Sequence, residues 1–345
     1  MNKFSSFLKR KNIVFSFKRY CIDALSAMAM GLFASLLIGT IIQTIGNQCG
    51  VEFLSTMGGY AMKVAGPAMA VAIGYALGAP QLVLFSLVAV GFATNELGGA
   101  GGPLAVFFTT VVATELGKAV SKETKIDILV TPLVTIFSGI GLAMLIAPAI
   151  GIAASAVGNA IMWATVQQPF FMGILVSVMV GVALTLPISS AAICAAIGLT
   201  GLAGGAAVAG CCAQMVGFAV MSFRENRWGG LVAQGLGTSM LQMGNIMKNP
   251  LIWIPPTLTA AITGPIATCI FKLEMNGAAI CSGMGTCGMV GPLGVMTGWN
   301  FSASAFDWIG LAMICLILPA VICWALGLIC RKLGWIKPND LKLDL

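Results

Sequence analysis

The sequence predicts an all-α, polytopic membrane protein with about ten to twelve transmembrane helices. Of its 345 residues, 59% are hydrophobic and only 8% are charged, against roughly 25% charged residues in an average soluble domain. The charged residues lie in clusters between long apolar runs, such as residues 24–42 and 309–329. These runs meet the length of about 20 residues that a helix needs to cross the hydrocarbon core. The composition therefore excludes a water-soluble globule.

Breaks between the apolar runs predict the individual spans. Gly78-Ala79-Pro80 and the glycine-rich residues 98–102 separate four spans in the first third, and Pro148, Pro169 and Pro187 separate four more. Three further runs follow, of which the last two flank a glycine-rich piece at 275–299. The predicted spans are 22–46, 60–78, 80–94, 103–117, 128–147, 149–166, 170–187, 199–222, 231–247, 250–272 and 305–330. Small residues spaced four apart in 199–222, at Gly201/Gly205 and Ala206/Gly210, predict close helix packing.

The basic residues predict the topology. Fifteen of the eighteen Lys and Arg residues lie in the first twenty residues, around Lys118, at Arg224 and Arg227, and in the last fifteen residues. The positive-inside rule places all four groups in the cytoplasm, so both termini are cytoplasmic and the number of crossings is even. We expect a basic arm (1–20), one transmembrane domain (21–330) and a cytoplasmic tail (331–345) in a cell membrane. Topology and anionic lipid account for the net charge of +7, so no nucleic-acid partner is expected.

The even number of crossings constrains how residues 275–299 lie in the membrane. Three spans after residue 230 would leave an odd number of crossings. Either this piece crosses as well, giving twelve spans, or it and one neighbouring run are both re-entrant, giving ten. Its density of helix breakers favours a re-entrant hairpin, because irregular backbone is tolerated at membrane depth only where protein or a wet cavity covers it.

The histidine and cysteine content limits the kinds of catalytic and metal site that the chain can contain. The chain has no histidine, which excludes phosphohistidine chemistry and His-ligated metals. Its eleven cysteines include no C-x-x-C pair and lie mostly in apolar runs, as buried thiols do. We expect no catalytic residue, cofactor or metal ion, so any phosphoryl relay runs on another polypeptide.

Two glycine-rich breaks are candidates for a solute site, because interrupted hydrophobic segments mark the midplane site of many transporters. Each contains a G-P-L-x-V step, and the re-entrant candidates are 95–104 and 275–299. Glu96 is expected beside a cavity near the midplane, since a carboxylate facing lipid is costly; Glu274, by contrast, could pair with Lys272 at the surface. The alternative for both breaks is an ordinary loop between helices. The predicted solute-binding residues in them are Asn95, Glu96, Asn276, Ser282, Gly283, Gly285 and Thr286.

A third candidate is the stretch from Gln242 to Thr257. Its Pro255-Pro256 pair interrupts regular helix formation and frees backbone carbonyls. Neutral donors and acceptors suit a hydroxylated solute, although an interfacial turn would explain them as well. The candidates are Gln242, Asn245, Asn249 and Thr257.

The same stretch carries a family resemblance. Asn249-Pro250, Ile254-Pro255-Pro256-Thr257-Leu258, Gly264-Pro265, Gly283-Met284-Gly285-Thr286-Cys287-Gly288 and Gly291-Pro292 resemble the membrane subunit IIC of bacterial phosphotransferase systems. The resemblance is to the branch that also holds the perfringolysin regulators, and it covers roughly residues 15 to 335. The chain lacks the Gly-Ile-Thr-Glu-Pro type motif of better-known sugar permeases.

The resemblance implies a fold and a function. It implies a homodimeric permease of the glucose superfamily of IIC subunits, with re-entrant hairpins. It also implies a sugar or polyol solute, and cytoplasmic IIB and IIA partners that supply the phosphoryl group. Two alternatives remain open at this point: a membrane sensor that regulates gene expression through a partner, and an ion-coupled secondary transporter.

Overall fold

The computed structural model describes residues 3–299 and 303–343, and within them the chain is helical without a β-sheet. The chain forms two compact units that divide between Ala153 and Ala154, inside a long helix. The predicted single domain of residues 21–330 did not include this subdivision.

In its described residues the first unit contains eight α-helices, the last of which continues into the second unit. They are α1 (Lys3–Arg10), α2 (Ala24–Leu32), α3 (Ile38–Cys49), α4 (Glu52–Lys63), α5 (Ala65–Ala76), α6 (Gln81–Gly98), α7 (Gly102–Val120) and α8 (Asp127–Thr165). Short π-helical turns join α2 and α3 into one helical stretch, Lys18–Asn47.

The helices of the second unit are shorter and more often interrupted. They are α9 (Pro169–Thr185), α10 (Ser190–Ala196), α11 (Gly201–Met221), α12 (Phe223–Val232), α13 (Met243–Lys248), α14 (Ile254–Pro265), α15 (Val290–Thr297), α16 (Ala305–Ala312) and α17 (Leu318–Lys332). A π-helical turn joins α16 and α17 into one stretch, Ala305–Lys332.

Six helical stretches in the described residues are long and apolar enough to cross a membrane, which supports the predicted class of polytopic α-helical membrane protein. They are Lys18–Asn47, Gln81–Val120, Asp127–Thr165, Gly201–Met221, Pro250–Ile270 and Ala305–Lys332. The stretch Gln81–Val120 contains both α6 and α7, with a 3₁₀ turn at residues 99–101 between them. Shorter apolar helices lie at Ala65–Ala76, Pro169–Thr185 and Cys287–Thr297.

Three of the predicted spans are corrected. The predicted pair 128–147 and 149–166 is one 39-residue helix, α8, with Pro132 and Pro148 inside it. The predicted span 231–247 is not one helix, because Thr238 is extended (φ −159°) between the π-helical turn Ala233–Gly237 and the 3₁₀ turn Ser239–Gln242. Gly235 and Gly237 weaken helical continuity there.

In the second unit, α11 is the central helix and 94% of its most apolar window is buried. Its glycines allow very close packing, as the small-residue spacing predicts. A Cβ added to Gly210 would lie 1.9 Å from the Ser177 carbonyl oxygen of α9, and one added to Gly205 would lie 1.7 Å from that of Leu273. Gly201 instead has a positive φ of 63° and no atom within 4 Å of its Cβ position.

The two ends of α11 define two opposite ends of the second unit. Its 21 residues span about 31 Å at 1.5 Å per residue. At the C-terminal end, Arg331 donates to the Met221 carbonyl oxygen at 3.2 Å and pairs with Glu225 at 2.8 Å. We call this the basic end. At the opposite end, Gly201 and Met275 exchange two backbone hydrogen bonds of 2.8 and 2.9 Å.

Candidate functional site: a re-entrant hairpin and a buried amide

A re-entrant hairpin at residues 277–298 lies at the centre of the second unit. The Gly277 amide donates to the Gly294 carbonyl at 3.0 Å, and Gly298 packs against Asn276. The hairpin therefore starts and finishes at the same end of α11, opposite the basic end. Between these points run two short 3₁₀ turns, Ala279–Gly283 and Cys287–Met289, followed by α15. Residues 275–299 are therefore not one continuous helix, and the hairpin has the path that a re-entrant segment would take.

The tip of the hairpin, residues 283–288, reaches the middle of α11. A Cβ on Gly285 would lie 2.6 Å from Cys211 Cβ, and Thr286 donates to Met215 Sδ at 3.6 Å. Cys211 and Met215 lie about 15–20 Å from the Gly201 end of α11. Gly285 has a φ of 52°, so glycine is required there for both conformation and space.

Two serine hydroxyls hold this tip in place. Ser190, the first residue of α10, donates to the Gly283 carbonyl at 2.8 Å, and Ser282 donates to the Leu199 carbonyl at 2.6 Å. Both serines are buried. Ser282 was predicted to bind solute, but its hydroxyl hydrogen is used to position the tip.

A buried side-chain amide on α11 lies next in sequence to Met215. Gln214 is 0% exposed. Its Oε1 accepts from Trp253 Nε1 at 3.0 Å and from Thr185 Oγ1 at 3.3 Å, and its Nε2 donates to Thr257 Oγ1 at 3.3 Å. Thr185 also lies 2.8 Å from Ser239 Oγ. We call these five residues the Gln214 cluster.

The Gln214 cluster is neutral and offers both donors and acceptors around a fully buried amide. Such groups suit hydroxyls, because each hydroxyl both donates and accepts. Thr257 was predicted from the sequence, whereas Thr185, Gln214 and Ser239 were missed. A signal was present, because Gln214 is the only amide in α11.

The structure gives the predicted amides Gln242, Asn245 and Asn249 a different partner, the segment that follows α17. Gln242 Nε2 donates to Gln234 Oε1 at 2.9 Å and to the Leu341 carbonyl at 3.0 Å. Asn245 Nδ2 donates to Gln242 Oε1 and to the Lys342 carbonyl, both at 2.8 Å.

Asn249 completes the contact with this segment. Its Nδ2 donates to Asp340 Oδ2 at 2.7 Å and to the Trp335 carbonyl at 2.8 Å. The predicted tail is therefore packed on the basic end of the second unit, and Leu341 is 0% exposed. With both amide hydrogens of each side chain in use, these three residues do not join the Gln214 cluster.

Asn276 lies at the root of the hairpin instead of its tip. It is exposed and donates to Glu274 Oε2 at 3.1 Å. The Glu274 carboxylate forms no ion pair with Lys272 within 4.0 Å among the described residues.

Asn95 and Glu96 belong to the first unit, where the second predicted re-entrant segment, 95–104, is corrected. Residues 99–101 form a single 3₁₀ turn between α6 (18 residues) and α7 (19 residues). Lys118 near the end of α7 donates to the Leu77 carbonyl just before α6, at 3.0 Å. These helices are therefore a full-length antiparallel pair, and Glu96 is exposed near the end of α6 instead of its middle.

Comparison with protein families gives a match over residues 22–343 to the family described as phosphotransferase system, EIIC. No curated protein and no solved structure matched the chain. The match runs through both units, the hairpin, the Gln214 cluster and almost all of the segment after α17. This chain therefore belongs to the EIIC family of the phosphotransferase system.

Proposed function

We propose that this chain is the sugar-translocating subunit of a phosphoenolpyruvate-dependent phosphotransferase system. A sugar or related polyol passes through it by alternating access, and a separate cytoplasmic IIB subunit, charged through IIA, phosphorylates the solute. The observation that carries this proposal is the hairpin whose glycine-rich tip packs against the middle of α11, at Cys211 and Met215, within one helical turn of the buried Gln214. Non-helical backbone at membrane depth is typical of transporter solute sites.

The orientation follows from the charges. The basic end of the second unit carries Arg224, Arg227, Arg331 and Lys332, so we assign this end and both chain termini to the cytoplasm. The hairpin then enters from the outer face and its tip points toward the side on which IIB acts. We further propose a homodimer in a bacterial cell membrane, with anionic lipid at the basic residues.

We assign solute contact to Gly283, Gly285 and Thr286 at the tip and to Gln214 and Thr257 of the Gln214 cluster. Glycine leaves backbone N–H groups accessible, while the hydroxyls and the amide supply neutral hydrogen bonds. Ser282 acts as a positioning residue. Gln242, Asn245 and Asn249 are assigned to holding the C-terminal segment.

The test is uptake by membrane vesicles that contain this chain, with IIA and IIB subunits from its own source inside. Radiolabelled hexoses and hexitols should accumulate as phosphates only when phosphoenolpyruvate is present. Thr286→Val removes the hydroxyl without a change in shape and should lower uptake about tenfold, the effect of one lost hydrogen bond. Thr263→Val is the matched control, because that hydroxyl bonds only to carbonyls of its own helix.

Other outcomes would identify the alternatives. Accumulation of unmodified solute that follows an ion gradient and ignores phosphoenolpyruvate would indicate a secondary transporter. Solute binding without any uptake would favour a sensor that regulates gene expression.

A further inference from the structure

A cavity of about 300 Å³ lies at the root of the hairpin, at the end opposite the basic end. We call it the root cavity. Its polar lining comes from Lys272, Glu274, Asn276 and Asp307, and Trp299 forms part of its wall. These residues come from three elements: the chain entering the hairpin, the chain leaving it, and the start of α16.

Contacts with neighbouring residues hold the Asp307, Asn276 and Trp299 side chains of the root cavity in place. Asp307 Oδ2 accepts from the Ser304 amide and from Ser304 Oγ, both at 2.8 Å, which fixes the carboxylate in a capping box. Asn276 donates to Glu274 Oε2 at 3.1 Å. The Trp299 ring packs edge-to-face with that of Trp308, with centroids 5.0 Å apart. Fixed polar groups around a flat apolar surface favour binding without a large ordering cost.

The chemistry of the lining selects one class of ligand. Two carboxylates against one lysine disfavour an anion, and the polar lining disfavours an apolar molecule. The described residues contain no group of three His, Cys, Asp or Glu side chains that could hold a metal ion. Carboxylates accept hydrogen bonds from hydroxyls, Lys272 and Asn276 donate to them, and a tryptophan face packs against the C–H surface of a ring.

We propose that the root cavity is a recognition site for a neutral polyhydroxylated molecule of about monosaccharide size. Its volume lies at the lower end of the range for ligand sites, roughly 300–1,000 Å³, which fits one sugar ring. The proposal rests on the proposed function for its orientation, in which the cavity faces outward. The solute binds here before it reaches the Gln214 cluster.

The position of the root cavity couples this site to the hairpin. Asn276 and Gly298, at the two ends of the hairpin, line the same cavity, and a Cβ on Gly298 would lie 2.6 Å from that of Asn276. A bound sugar contacts both ends together with Asp307 on α16. The ligand therefore stabilises one arrangement of the hairpin root.

The test is binding to the purified full-length chain in lipid nanodiscs, measured by calorimetry and by tryptophan fluorescence. The neutral probes are glucose, galactose, mannose and mannitol, and the charged probes are glucosamine and glucose 6-phosphate. Glu274→Gln should raise the Kd of the neutral probe that binds by about tenfold, and Asp307→Asn should act in the same direction. Glu52→Gln, which changes an exposed carboxylate on α4 in the same way, should leave the Kd unchanged.

In the uptake assay, Glu274→Gln should raise the KM for the solute and leave the maximal rate unchanged. The substitution does not alter the tip of the hairpin or the Gln214 cluster. The proposal is overturned if neutral probes bind equally well to Glu274→Gln and Asp307→Asn, if only a charged probe binds, or if no probe binds to a thermally intact protein. Phosphoenolpyruvate-dependent uptake could fail while neutral probes still bind in a way that depends on Glu274. That result would overturn the proposed transport function and support the binding site in the root cavity.

Discussion

Gln242 and Leu341 are joined by a hydrogen bond of 3.0 Å between the side-chain Nε2 and the backbone carbonyl, although 99 residues separate them. Both residues are 0% exposed. A second segment of the chain, at Asn226, binds the same Leu341 carbonyl at 2.7 Å and the Leu343 amide at 2.8 Å. The C-terminal residues are thus part of the packed structure at the basic end.

We expect Gln242→Ala to lower the free energy of unfolding by about 1–3 kcal/mol, because it removes hydrogen-bond partners from the buried Gln234 and Leu341 oxygens. Thermal unfolding and the rate of carboxypeptidase digestion measure the effect. Lys342→Ala is the control, since its side chain is exposed and its backbone carbonyl remains available to Asn245. Digestion at the same rate in Gln242→Ala and in the unchanged protein would contradict a structural role for this contact.

Gly210→Ala tests the packing of α9 against α11. The added methyl would lie 1.9 Å from the Ser177 carbonyl oxygen, and the expected loss is about 3 kcal/mol or more. Gly229→Ala on α12 is the matched control, because no atom lies within 4 Å of its Cβ position. There alanine should be neutral or stabilising by about 0.5–1 kcal/mol. Equal melting temperatures for the two variants would show that the helices do not approach this closely.

Gln214→Met should reduce phosphoenolpyruvate-dependent uptake by at least about tenfold. The change keeps the side-chain length but leaves the Trp253 N–H without its acceptor and removes the only amide of the cluster. Ser177→Ala is the control, because Ser177 is buried on α9 but bonds only to the backbone carbonyls of Ile174 and Ala260. A similar loss of uptake in both variants would assign Gln214 to packing alone.

Glu123 should control the docking of the N-terminal arm. Arg10 and Lys11 contact its Oε1 at 2.8 and 2.5 Å. The hydrogen bond from Lys11 and the nearby charge of Arg10 lower the pKa of Glu123 below its ordinary value of 4.5. The ionised carboxylate is therefore the form that binds the arm.

We expect Glu123→Gln to increase trypsin cleavage at Lys9, Arg10 and Lys11. In the unchanged protein the docking should persist at neutral pH and be lost as the pH falls through the lowered pKa, because protonation removes the charge. Accessibility of an arm-attached spin label, measured from pH 7 to pH 3, follows this loss without trypsin. An arm signal independent of both pH and the Glu123 substitution would contradict the contact.

The hairpin could be predicted from sequence because its irregular backbone requires glycine and proline, and both are visible in the composition. Glycine at 283, 285 and 288 and the Gly291-Pro292 step are incompatible with a regular helix across the bilayer, and the structure has short turns there. The break at 99–101 has a similar composition. It is nevertheless a tight turn, since the helices on either side are each long enough to cross.

The Gln214 cluster could not be assembled from sequence because its members come from four separate segments. Pairing Thr185 with Ser239, and Gln214 with Trp253, depends on how α9, α11 and the following turns pack. The folding of the tail onto Gln242 and Asn245 is also tertiary. A local sign in the sequence is the pair of apolar residues Ile336 and Leu341, which flank residues 337–340 and are both buried.

The paired hydrogen bonds between Gly201 and Met275 use only backbone atoms. The Met275 side chain can change, other than to proline, with both donors and both acceptors left in place, whereas the φ of 63° at Gly201 favours glycine. The tip, by contrast, is held by the hydroxyls of Ser190 and Ser282, and a single nucleotide change can delete either of them. Mutation during evolution therefore acts unequally on this hairpin: substitution of Met275 leaves the backbone bonds of its anchorage intact, while loss of one hydroxyl is enough to change the position of its tip.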